Sequence, residues 1–530
     1  MYSFLQSVPC DELLKLINSE LKGTVAKLQN TDRDQLYKIL FALYGYDILS
    51  NARVRERMLV NSSDEEFQIF KNEFSLNHGK RGDSVIALTI QRWAYGSKIV
   101  KIFKKVFKVS PSFLPSKTEA SSKLETVSFS KHLNPLFDYQ EEISSDILEF
   151  IDSSDKACII QMPTGSGKTR TSLDAIVKKM RNDDDFSVIW LAHSSELLEQ
   201  TIDSFKDIWA NNGNRSINIG RLWGSVKPDD ELLDTDFLFI GFMKLISIHK
   251  SNPDFYQEII NKYKFIVVDE AHKSVSSSLG SVLNNYLRSE ETRLMGLTAT
   301  PGRSVEQFNE NKKLVKLYQK IISSEILGKT PIRYLQERGI LSKIVPLDYV
   351  NGVNIDINPS ELDKVSDKGD ITAKILADLA KNSQRNEILI NTIKNENELG
   401  NKVIVFCCNV QHSRHLAVLL AREGILSASV DYTIKPNARK KIIDDFKSGE
   451  IKILLNYGIF STGLDVPDID TVFITRPTSS IVLYSQMIGR GLRGPNVGGT
   501  EECRLINVKD NFKNFGDVDE VYNYFETSWS

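Results

Sequence analysis

The sequence predicts an α/β protein with two lobes in tandem, each built on a parallel β-sheet, preceded by a mainly helical N-terminal domain. Three observations lead to this prediction. From about residue 130 to 330, short β-rich apolar runs alternate with amphipathic helical stretches, a pattern typical of a parallel sheet covered by helices on both faces. The same alternation starts again in the segment up to about residue 510. Residues 1 to about 110 instead carry helical periodicity with few strand-like runs.

The N-terminal part is predicted to be helical because apolar residues recur every three or four positions in CDELLKLINSELKGTVAKL and DQLYKILFALYGYDIL. Between Ser110 and His132 the composition shifts to Ser, Thr, Pro and Lys, which favours an exposed linker or an irregular segment. We therefore predict a helical accessory domain with its linker over residues 1–130.

Residues 80–108 form a basic segment, with eight basic residues against one acidic residue, Asp83. In SKIVKIFKKVFK the apolar residues share one helical stripe and the lysines lie on the other face. Such a face suits the clamping of phosphates. A core-packing helix with a solvated basic face has the same pattern, and both interpretations stay open.

The first lobe is assigned to residues 131–330 and the second to residues 331–510. The strands of the first are predicted in KACIIQM, FSVIWLAH, FLFIGFM, KFIVVDE and RLMGLTAT, and those of the second in KVIVFCCNV, ILSASV, IKILLNYG, TVFITRP and CRLINV. Each run is short and apolar and is followed by a helical stretch. Residues 511–530 are predicted to be an acidic, aromatic C-terminal tail that docks on the second lobe or on a partner.

The composition is that of an ordinary globular protein, with 41% hydrophobic and 26% charged residues. The five cysteines are few, odd in number and without zinc spacing, which favours a reducing compartment, and Cys407 and Cys408 are predicted to be buried strand thiols. No apolar run approaches the length of a membrane span, so we expect a cytoplasmic protein without a membrane partner. The net charge of −2 excludes a globally basic nucleic-acid binder but allows a local basic groove.

A glycine-rich loop lies between a predicted strand and a predicted helix in ACIIQMPTGSGKTRTSLDAIVKKM. Gly165 and Gly167 allow backbone N–H groups to turn inward around phosphates, and the positive end of the following helix faces the same place. Lys168 is predicted to reach the β and γ phosphates, and the Thr169 hydroxyl to bind Mg²⁺. The alternative, a glycine turn before a surface helix, leaves the lysine and threonine without a role.

Two adjacent carboxylates end an apolar run roughly a hundred residues later, in KFIVVDEAHKS. Asp269 is predicted to hold the magnesium shell, and Glu270 to accept the proton of the attacking water. Acidic pairs at strand ends are commonly solvated turns. Their pairing with the glycine loop favours a nucleotide site.

These motifs resemble superfamily 2 helicases, and the resemblance extends over roughly residues 135 to 510. MPTGSGKT resembles motif I, DEAH at 269–272 motif II, and LFDYQ at 136–140 the adenine-reading segment. The resemblance implies two RecA-like P-loop lobes, ATP as the nucleotide, and Gln140 as an adenine ligand with Tyr139 packing nearby. The ATP-binding residues that it implies are Tyr139, Gln140, Pro163, Thr164, Gly165, Ser166, Gly167, Lys168, Thr169, Gly463, Asp465 and Gln486.

Further motifs of the same family follow in order along the chain. LAHSSELLEQ at 191–200, GFMKL at 241–245 and LTATPGR at 297–303 resemble motifs Ia, Ib and III, while VIVFCCNVQHS, STGLDVP at 461–467 and SQMIGRGLR at 485–493 resemble motifs IV, V and VI. The nucleic-acid contacts that the resemblance implies are His193, Ser194, Phe242, Ser461 and Thr462. The residues that it implies couple the ATP site to the nucleic-acid track are His272, Thr298 and Thr300.

Two arginines of motif VI are predicted to be arginine fingers. Charge builds on the γ-phosphoryl group during transfer, and a planar guanidinium stabilises it through paired hydrogen bonds. We expect Arg490 and Arg493 to act in this way when the lobes close. The predicted catalytic residues are thus Lys168, Glu270, Arg490 and Arg493. The alternative for an arginine pair three residues apart is a solvated helix face.

Two segments, RPTSSIVLYSQMIGRGLRG and PIRYLQERGIL at 331–341, resemble the group with type I and type III restriction motors and RadD-like DNA repair helicases. The resemblance implies an ATP-dependent helicase or translocase, an ATP hydrolase acting on nucleic acid and in particular DNA, with a nuclease or defence-system protein as partner. Two alternatives stay open: a nucleic-acid sensor ATPase that recruits an effector in a bacterial defence system, and an RNA helicase.

Overall fold

The computed structural model describes residues 3–21, 31–76, 80–116, 122–128, 135–302, 308–353, 370–459, 466 and 468–510. It contains two mainly parallel sheets, whose strands alternate with helices along the chain, and a helical N-terminal domain. The predicted fold class is confirmed. No helix among the described residues combines the length and the apolar character that crossing a membrane requires.

The first lobe is built on an eight-stranded sheet in the order β1-β4-β5-β3-β6-β7-β2-β8. All its neighbours pair in parallel except β1 and β4. The central strands are fully buried because helices cover both faces. The strands are β1 (Leu124–Val127), β2 (Ala157–Gln161), β3 (Val188–Ala192), β4 (Ile217–Leu222), β5 (Phe237–Gly241), β6 (Phe265–Asp269), β7 (Arg293–Thr298) and β8 (Ile321–Ile322). The helices are α7 (Asp138–Asp152), α8 (Lys168–Asn182), α9 (Ser195–Asn212), α10 (Phe242–Ser251), α11 (Pro253–Lys262), α12 (Ser277–Tyr286) and α13 (Phe308–Tyr318).

The second lobe is a six-stranded parallel sheet in the order β11-β12-β10-β13-β14-β9. Its strands are β9 (Lys343–Asn351), β10 (Val403–Phe406), β11 (Ser427–Val430), β12 (Ile453–Asn456), β13 (Thr471–Ile474) and β14 (Glu502–Lys509). Its helices are α14 (Pro331–Glu337), α15 (Ala373–Lys381), α16 (Ser383–Glu398), α17 (Val410–Arg422), α18 (Pro436–Ser448) and α19 (Ile481–Ile488). Ligands of such sheets bind at the carboxyl ends of the strands, and α19, which follows the carboxyl end of β13, contacts the first lobe.

In the described part of the N-terminal domain there are six α-helices: α1 (Cys10–Leu21), α2 (Arg33–Tyr44), α3 (Ala52–Val60), α4 (Asp64–Phe74), α5 (Arg81–Thr89) and α6 (Lys98–Val106). Side-chain caps mark the starts of α2 and α4. The Asp32 carboxylate caps α2 by accepting from the Gln35 N–H, and Ser63 and Glu66 form a capping box on α4. In α6 the apolar stripe around Phe103 is buried and the lysines are exposed, so the apolar stripe packs into the core.

The N-terminal domain docks on the second lobe, although the first lobe follows it in sequence. Helix α2 packs against α17 and β11. The Tyr46 hydroxyl donates to the Asp445 carboxylate, and Lys435 forms an ion pair of 3.1 Å with Asp47. An apolar core runs without a break from this domain through one face of each sheet.

Four strands are absent from the sequence-based prediction: β1, β4, β8 and β9. Strand β1 lies in the predicted linker and pairs antiparallel with β4, with Leu124 opposite Gly220. Its residues LETV are only partly apolar and half-buried, so their pattern does not distinguish an edge strand from a loop. The domain boundaries stay a prediction, as does the docking of the tail, because residues 511–530 lie outside the described residues.

The adjacent thiols of Cys407 and Cys408 are buried at the carboxyl end of β10. Burial raises the pKa of both thiols. They are core groups, as the apolar run around them predicts.

Candidate active site

The glycine-rich loop connects β2 to α8. Gly165 and Gly167 have φ values of 86° and 89°, in the left-handed region that favours glycine. A Cβ at Gly167 would lie 2.4 Å from the Gln140 side-chain nitrogen, so no other residue fits there without a shift. The Lys168 Nζ donates to the carbonyls of Met162 at 3.1 Å and Pro163 at 3.3 Å, which holds the ammonium inside the loop.

Two side chains of α7 hold this loop through hydrogen bonds to its backbone. The Tyr139 hydroxyl and the Gln140 Nε2 both donate to the Ser166 carbonyl, at 2.8 and 2.9 Å. The Gln140 Oε1 accepts from the Phe137 N–H at 3.0 Å, so both ends of the amide are engaged. The sequence predicts an adenine ligand here, whereas in the structure Gln140 holds the loop. Adenine binding stays a prediction, and it requires this amide to share or exchange a partner.

The carboxylate pair lies at the end of β6. Asp269 is buried, and its Oδ1 accepts from the Glu270 N–H at 2.9 Å. Glu270 has a φ of 56°, an uncommon conformation for a non-glycine residue that clusters at functional sites. Burial, reinforced by the charge of Glu270, raises the pKa of Asp269 to about 7. Burial alone would raise the pKa of Glu270 as well, but His272, Lys273 and Lys168 outweigh it and lower that pKa.

A chain of contacts connects Glu270 to the loop after β7. The His272 Nδ1 lies 3.4 Å from a Glu270 oxygen and 3.2 Å from the Thr298 hydroxyl. That hydroxyl donates to the Thr300 carbonyl at 2.8 Å and accepts from the Thr300 N–H. The three residues predicted to couple the ATP site to the nucleic-acid track are therefore in contact, and the coupling itself stays a proposal.

The second lobe reaches this site through motif VI. The Gln486 Nε2 donates to a Glu270 oxygen at 3.1 Å, across a separation of 216 residues. Burial lowers the pKa of Lys168, its two neighbouring carboxylates oppose this, and the charge of Arg490 lowers it further. Arg490 therefore lies within electrostatic reach of the loop lysine.

The two lobes touch directly at the phosphate loop. A Cβ at Gly489 would lie 2.2 Å from the Thr164 Cγ2, and one at Gly165 would lie 3.0 Å from the Leu341 Cδ2. Both glycines therefore allow an approach that any side chain would obstruct. Arg493 follows the contact, and its backbone carbonyl accepts from the Thr500 N–H at 3.0 Å. Its guanidinium role stays a prediction.

The predicted nucleic-acid residues of the first lobe lie beside this site. Ser194 caps α9 by accepting from the Leu197 N–H, and the His193 ring contacts the Lys273 Nζ at 3.2 Å. Phe242 is buried, so its ring packs inside the lobe, and a nucleic-acid contact at this residue stays a prediction. Its neighbour Met243, 75% exposed, is the accessible side chain of that segment. Ser461, Thr462, Gly463 and Asp465 lie outside the described residues.

Sequence reasoning missed three contacts at or near this site, those of Gly489, Lys273 and Arg338. Gly489 carries a visible signal, since a glycine interrupts the apolar helix before the arginines. Lys273 directly follows DEAH, but a lysine in that place has many roles. The Arg338 guanidinium donates to the Asp138 carboxylate at 2.7 Å, 200 residues away, and ties the lobes together beside the adenine-reading segment. No local pattern could reveal that last contact.

The donor set fits a nucleotide with a magnesium ion. A buried carboxylate whose pKa is raised gains from a neighbouring cation, and Mg²⁺ typically takes one or two carboxylates plus phosphate oxygens. Asp269 and the Thr169 hydroxyl are the residues that would hold it. Lys168 and Arg490 would supply positive charge for the phosphates from both lobes.

Comparisons with known proteins match both lobes of the chain. The family model described as type III restriction enzyme, res subunit, matches residues 134–303, and the helicase conserved C-terminal domain matches residues 384–494. The chain is 29% identical over 384 residues to IRC3 of Saccharomyces cerevisiae, named as an ATP-dependent helicase, with 70% of this chain and 51% of IRC3 covered. It is 21% identical over 429 residues to the EcoKI type I restriction endonuclease subunit of Escherichia coli, with 73% and 35% covered.

The crystal structure of the Pyrococcus furiosus Hef helicase domain matches at 17% identity and a TM-score of 0.44, covering 73% of this chain and 98% of that domain. The chain spans about half the length of IRC3 and about a third of the restriction subunit. Two family models in the predicted order match the two lobes, and the relatives carry helicase and restriction-subunit names. The chain therefore belongs to the superfamily 2 helicases and is related to the motor subunits of restriction enzymes.

Proposed function

We propose that this protein is an ATP-driven DNA translocase or helicase that hydrolyses ATP between its two lobes. The contact between Gln486 and Glu270 carries the proposal. It joins the predicted catalytic base of one lobe to the arginine motif of the other, so hydrolysis depends on how the lobes sit relative to each other. A site of this kind can couple ATP turnover to a change in the way the two lobes bind a nucleic-acid strand that lies across both of them.

In this mechanism Lys168 and the loop N–H groups hold the phosphates. Asp269 and the Thr169 hydroxyl would hold Mg²⁺, which would supply positive charge next to the phosphate oxygens. Glu270 orients the attacking water and accepts its proton, because the surrounding cations keep its carboxylate ionised. Arg490 stabilises the transferring phosphoryl group when the lobes are closed.

The experiment is ATP turnover of the full chain with single-stranded DNA, duplex DNA, forked DNA and RNA at one salt concentration, since phosphate-driven binding falls steeply with salt. We expect DNA to stimulate turnover, and Lys168→Ala and Glu270→Gln to reduce the stimulated rate by at least about a hundredfold. Glu270→Gln should still bind ATP, because it loses the base and keeps the loop. Turnover that no nucleic acid changes would refute the proposal.

DNA is proposed over RNA because relatives include the EcoKI and EcoAI restriction endonuclease subunits. Other relatives are named as RNA helicases, at 20% and 21% identity, so RNA is the alternative outcome of the same panel. Stronger stimulation by RNA than by any DNA would assign the chain to RNA instead. The restriction relatives also support our proposal of a nuclease or defence-system partner, which affinity capture on the Glu270→Gln variant with DNA would test.

A further inference from the structure

Helix α14, at the start of the second lobe, ends at a contact with the first lobe. The Arg338 guanidinium donates to the Asp138 carboxylate at 2.7 Å. It also lies over the Tyr334 ring, 4.4 Å from the ring centroid, and the Tyr334 hydroxyl donates to the same carboxylate oxygen at 3.4 Å. The ring therefore helps to hold the guanidinium against Asp138.

Asp138 is the first residue of α7, directly before the two side chains that hold the phosphate loop, Tyr139 and Gln140. Its Oδ1 accepts from the Tyr139 N–H at 2.9 Å. Partial burial tends to raise the pKa of Asp138, but the hydrogen bonds from the Tyr139 N–H and from Arg338 outweigh it and lower that pKa. The carboxylate therefore stays ionised beside the residues that fix the loop, and a cation stabilises it.

The backbone at Arg338 binds the loop that follows motif VI. The Arg338 carbonyl accepts from the Asn496 Nδ2 at 2.7 Å, and the Ile340 carbonyl accepts from the Gly494 N–H at 3.0 Å. Gly494 directly follows Arg493 in the chain. A shift of Arg338 relative to the first lobe therefore moves the arginines of motif VI with it.

The chain crosses from the first lobe to the second over residues 326–331, and the start of this crossing is also fixed to α7. The Glu142 carboxylate accepts from the N–H groups of Glu325 at 3.2 Å and Ile326 at 3.4 Å. Glu142 lies four residues after Asp138, and residues four apart share one face of a helix. A rotation of the second lobe about this crossing would therefore change the ion pair and the position of motif VI together.

We propose that the ion pair between Arg338 and Asp138 sets the closed position of motif VI on the phosphate loop, which makes Arg338 a positioning residue for ATP hydrolysis. Its guanidinium binds one lobe while its backbone binds the loop after the arginines of the other. The inference deepens the proposed function and rests on its central step, hydrolysis between the two lobes.

The ion pair is half-exposed, with 49% of the Arg338 side chain and 46% of the Asp138 side chain accessible. A pair of this kind shifts an equilibrium by about two- to fivefold, and two like charges in the same place act in the opposite direction. We therefore expect Arg338→Glu, which replaces attraction by repulsion, to lower the kcat of ATP hydrolysis about tenfold. The KM for ATP should change by less than about twofold, because the loop contacts of Lys168 are unaltered.

Asp138→Asn separates a positioning role from a structural one. In the wild type this change removes the attraction and should lower kcat about two- to fivefold. In the Arg338→Glu background it removes a repulsion, so the same change should raise kcat. The amide oxygen can still accept from the Tyr139 N–H, so α7 keeps this hydrogen bond. A purely structural Asp138 would lower kcat in both backgrounds.

The matched control is Lys320→Glu. Lys320 and Asp155 form an ion pair of 3.2 Å within the first lobe, with side-chain exposures of 54% and 48%. The reversal has the same charge and nearly the same exposure as Arg338→Glu, but it lies within one lobe. It should therefore leave kcat unchanged.

ATP turnover of the full chain is measured with saturating DNA and without nucleic acid, well below the thermal midpoint of each variant. A kcat of Arg338→Glu within about twofold of the wild type, or a lower kcat on Asp138→Asn in both backgrounds, would overturn the inference and leave the proposed function standing. If no nucleic acid changes the turnover of the wild type, the proposed function fails, while opposite effects of Asp138→Asn on the unstimulated rates in the two backgrounds still support the role of Arg338.

Discussion

Replacing Gly489 with alanine should slow ATP turnover without lowering the stability of the fold. The added Cβ would lie 2.2 Å from the Thr164 Cγ2, whereas carbon atoms in contact sit about 3.5–4.0 Å apart. The arginine motif and the phosphate loop must then separate by more than about 1 Å. A displacement of that size costs roughly a hundredfold in rate when it misplaces catalytic groups.

The stability of the Gly489→Ala fold should not decrease together with its rate of ATP turnover. Gly489 has φ −56° and ψ −13°, a right-handed helical conformation in which alanine is favoured over glycine by about 0.4–1 kcal/mol. We therefore expect the DNA-stimulated kcat of Gly489→Ala to drop about a hundredfold while the thermal midpoint stays equal or rises slightly. Binding of ATP to the phosphate loop should persist, because Lys168 is unchanged.

The assay is steady-state ATP turnover at saturating DNA, beside thermal unfolding and ATP binding. Gly82→Ala is the control, since a Cβ at Gly82 meets nothing within 4 Å and the residue lies in α5. It should leave kcat unchanged. A kcat of Gly489→Ala within about threefold of the wild type would show that hydrolysis does not need this close approach, and the two-lobe mechanism would be refuted at that point.

Three further changes test other contacts. Gln486→Ala removes the donor to Glu270 and should lower kcat about 10- to 100-fold with little change in the unfolding midpoint; equal kcat would mean that the contact is incidental. The pKa of His193 is lowered to about 4, first by burial and then by a neighbouring charge, so folding favours the neutral ring. Stability should be lost as pH falls from about 6.5 to about 4, by up to about 3 kcal/mol, and denaturant titrations of His193→Asn should show a flatter pH dependence. Arg385 and Asp510 form a buried ion pair, 0% and 1% exposed; Arg385→Met strands the carboxylate and should cost about 3–5 kcal/mol of unfolding free energy, while adding Asp510→Asn should recover part of it. A double variant no more stable than the single one would contradict that account.

The ATP site was predictable in its local parts. Gly165, Gly167 and Lys168 lie within one strand-loop-helix unit, whose backbone geometry follows from the types of residue in it. Asp269 and Glu270 were identified because two adjacent carboxylates end an apolar run and a glycine-rich phosphate loop precedes them in the same lobe. The positions of the ten predicted strands follow because fully buried strands are continuously apolar, whereas β1, β4, β8 and β9 were not predicted.

Phe242 shows what motif comparison leaves open. Its segment aligns with one that contacts nucleic acid, yet the ring packs inside the lobe. Which of two adjacent apolar side chains is buried depends on the direction of the helix that starts there. The sequence alone does not contain that direction.

The sequence by itself determined the two α/β lobes, the phosphate loop, the carboxylate pair and their order, because each is encoded by contiguous residues whose conformation is largely local. The tertiary structure alone decided that Gln486 meets Glu270, that Gly489 packs on Thr164, and that the N-terminal domain sits on the second lobe. These contacts join residues far apart in the chain, and they form only where the packing of whole lobes brings complementary surfaces together.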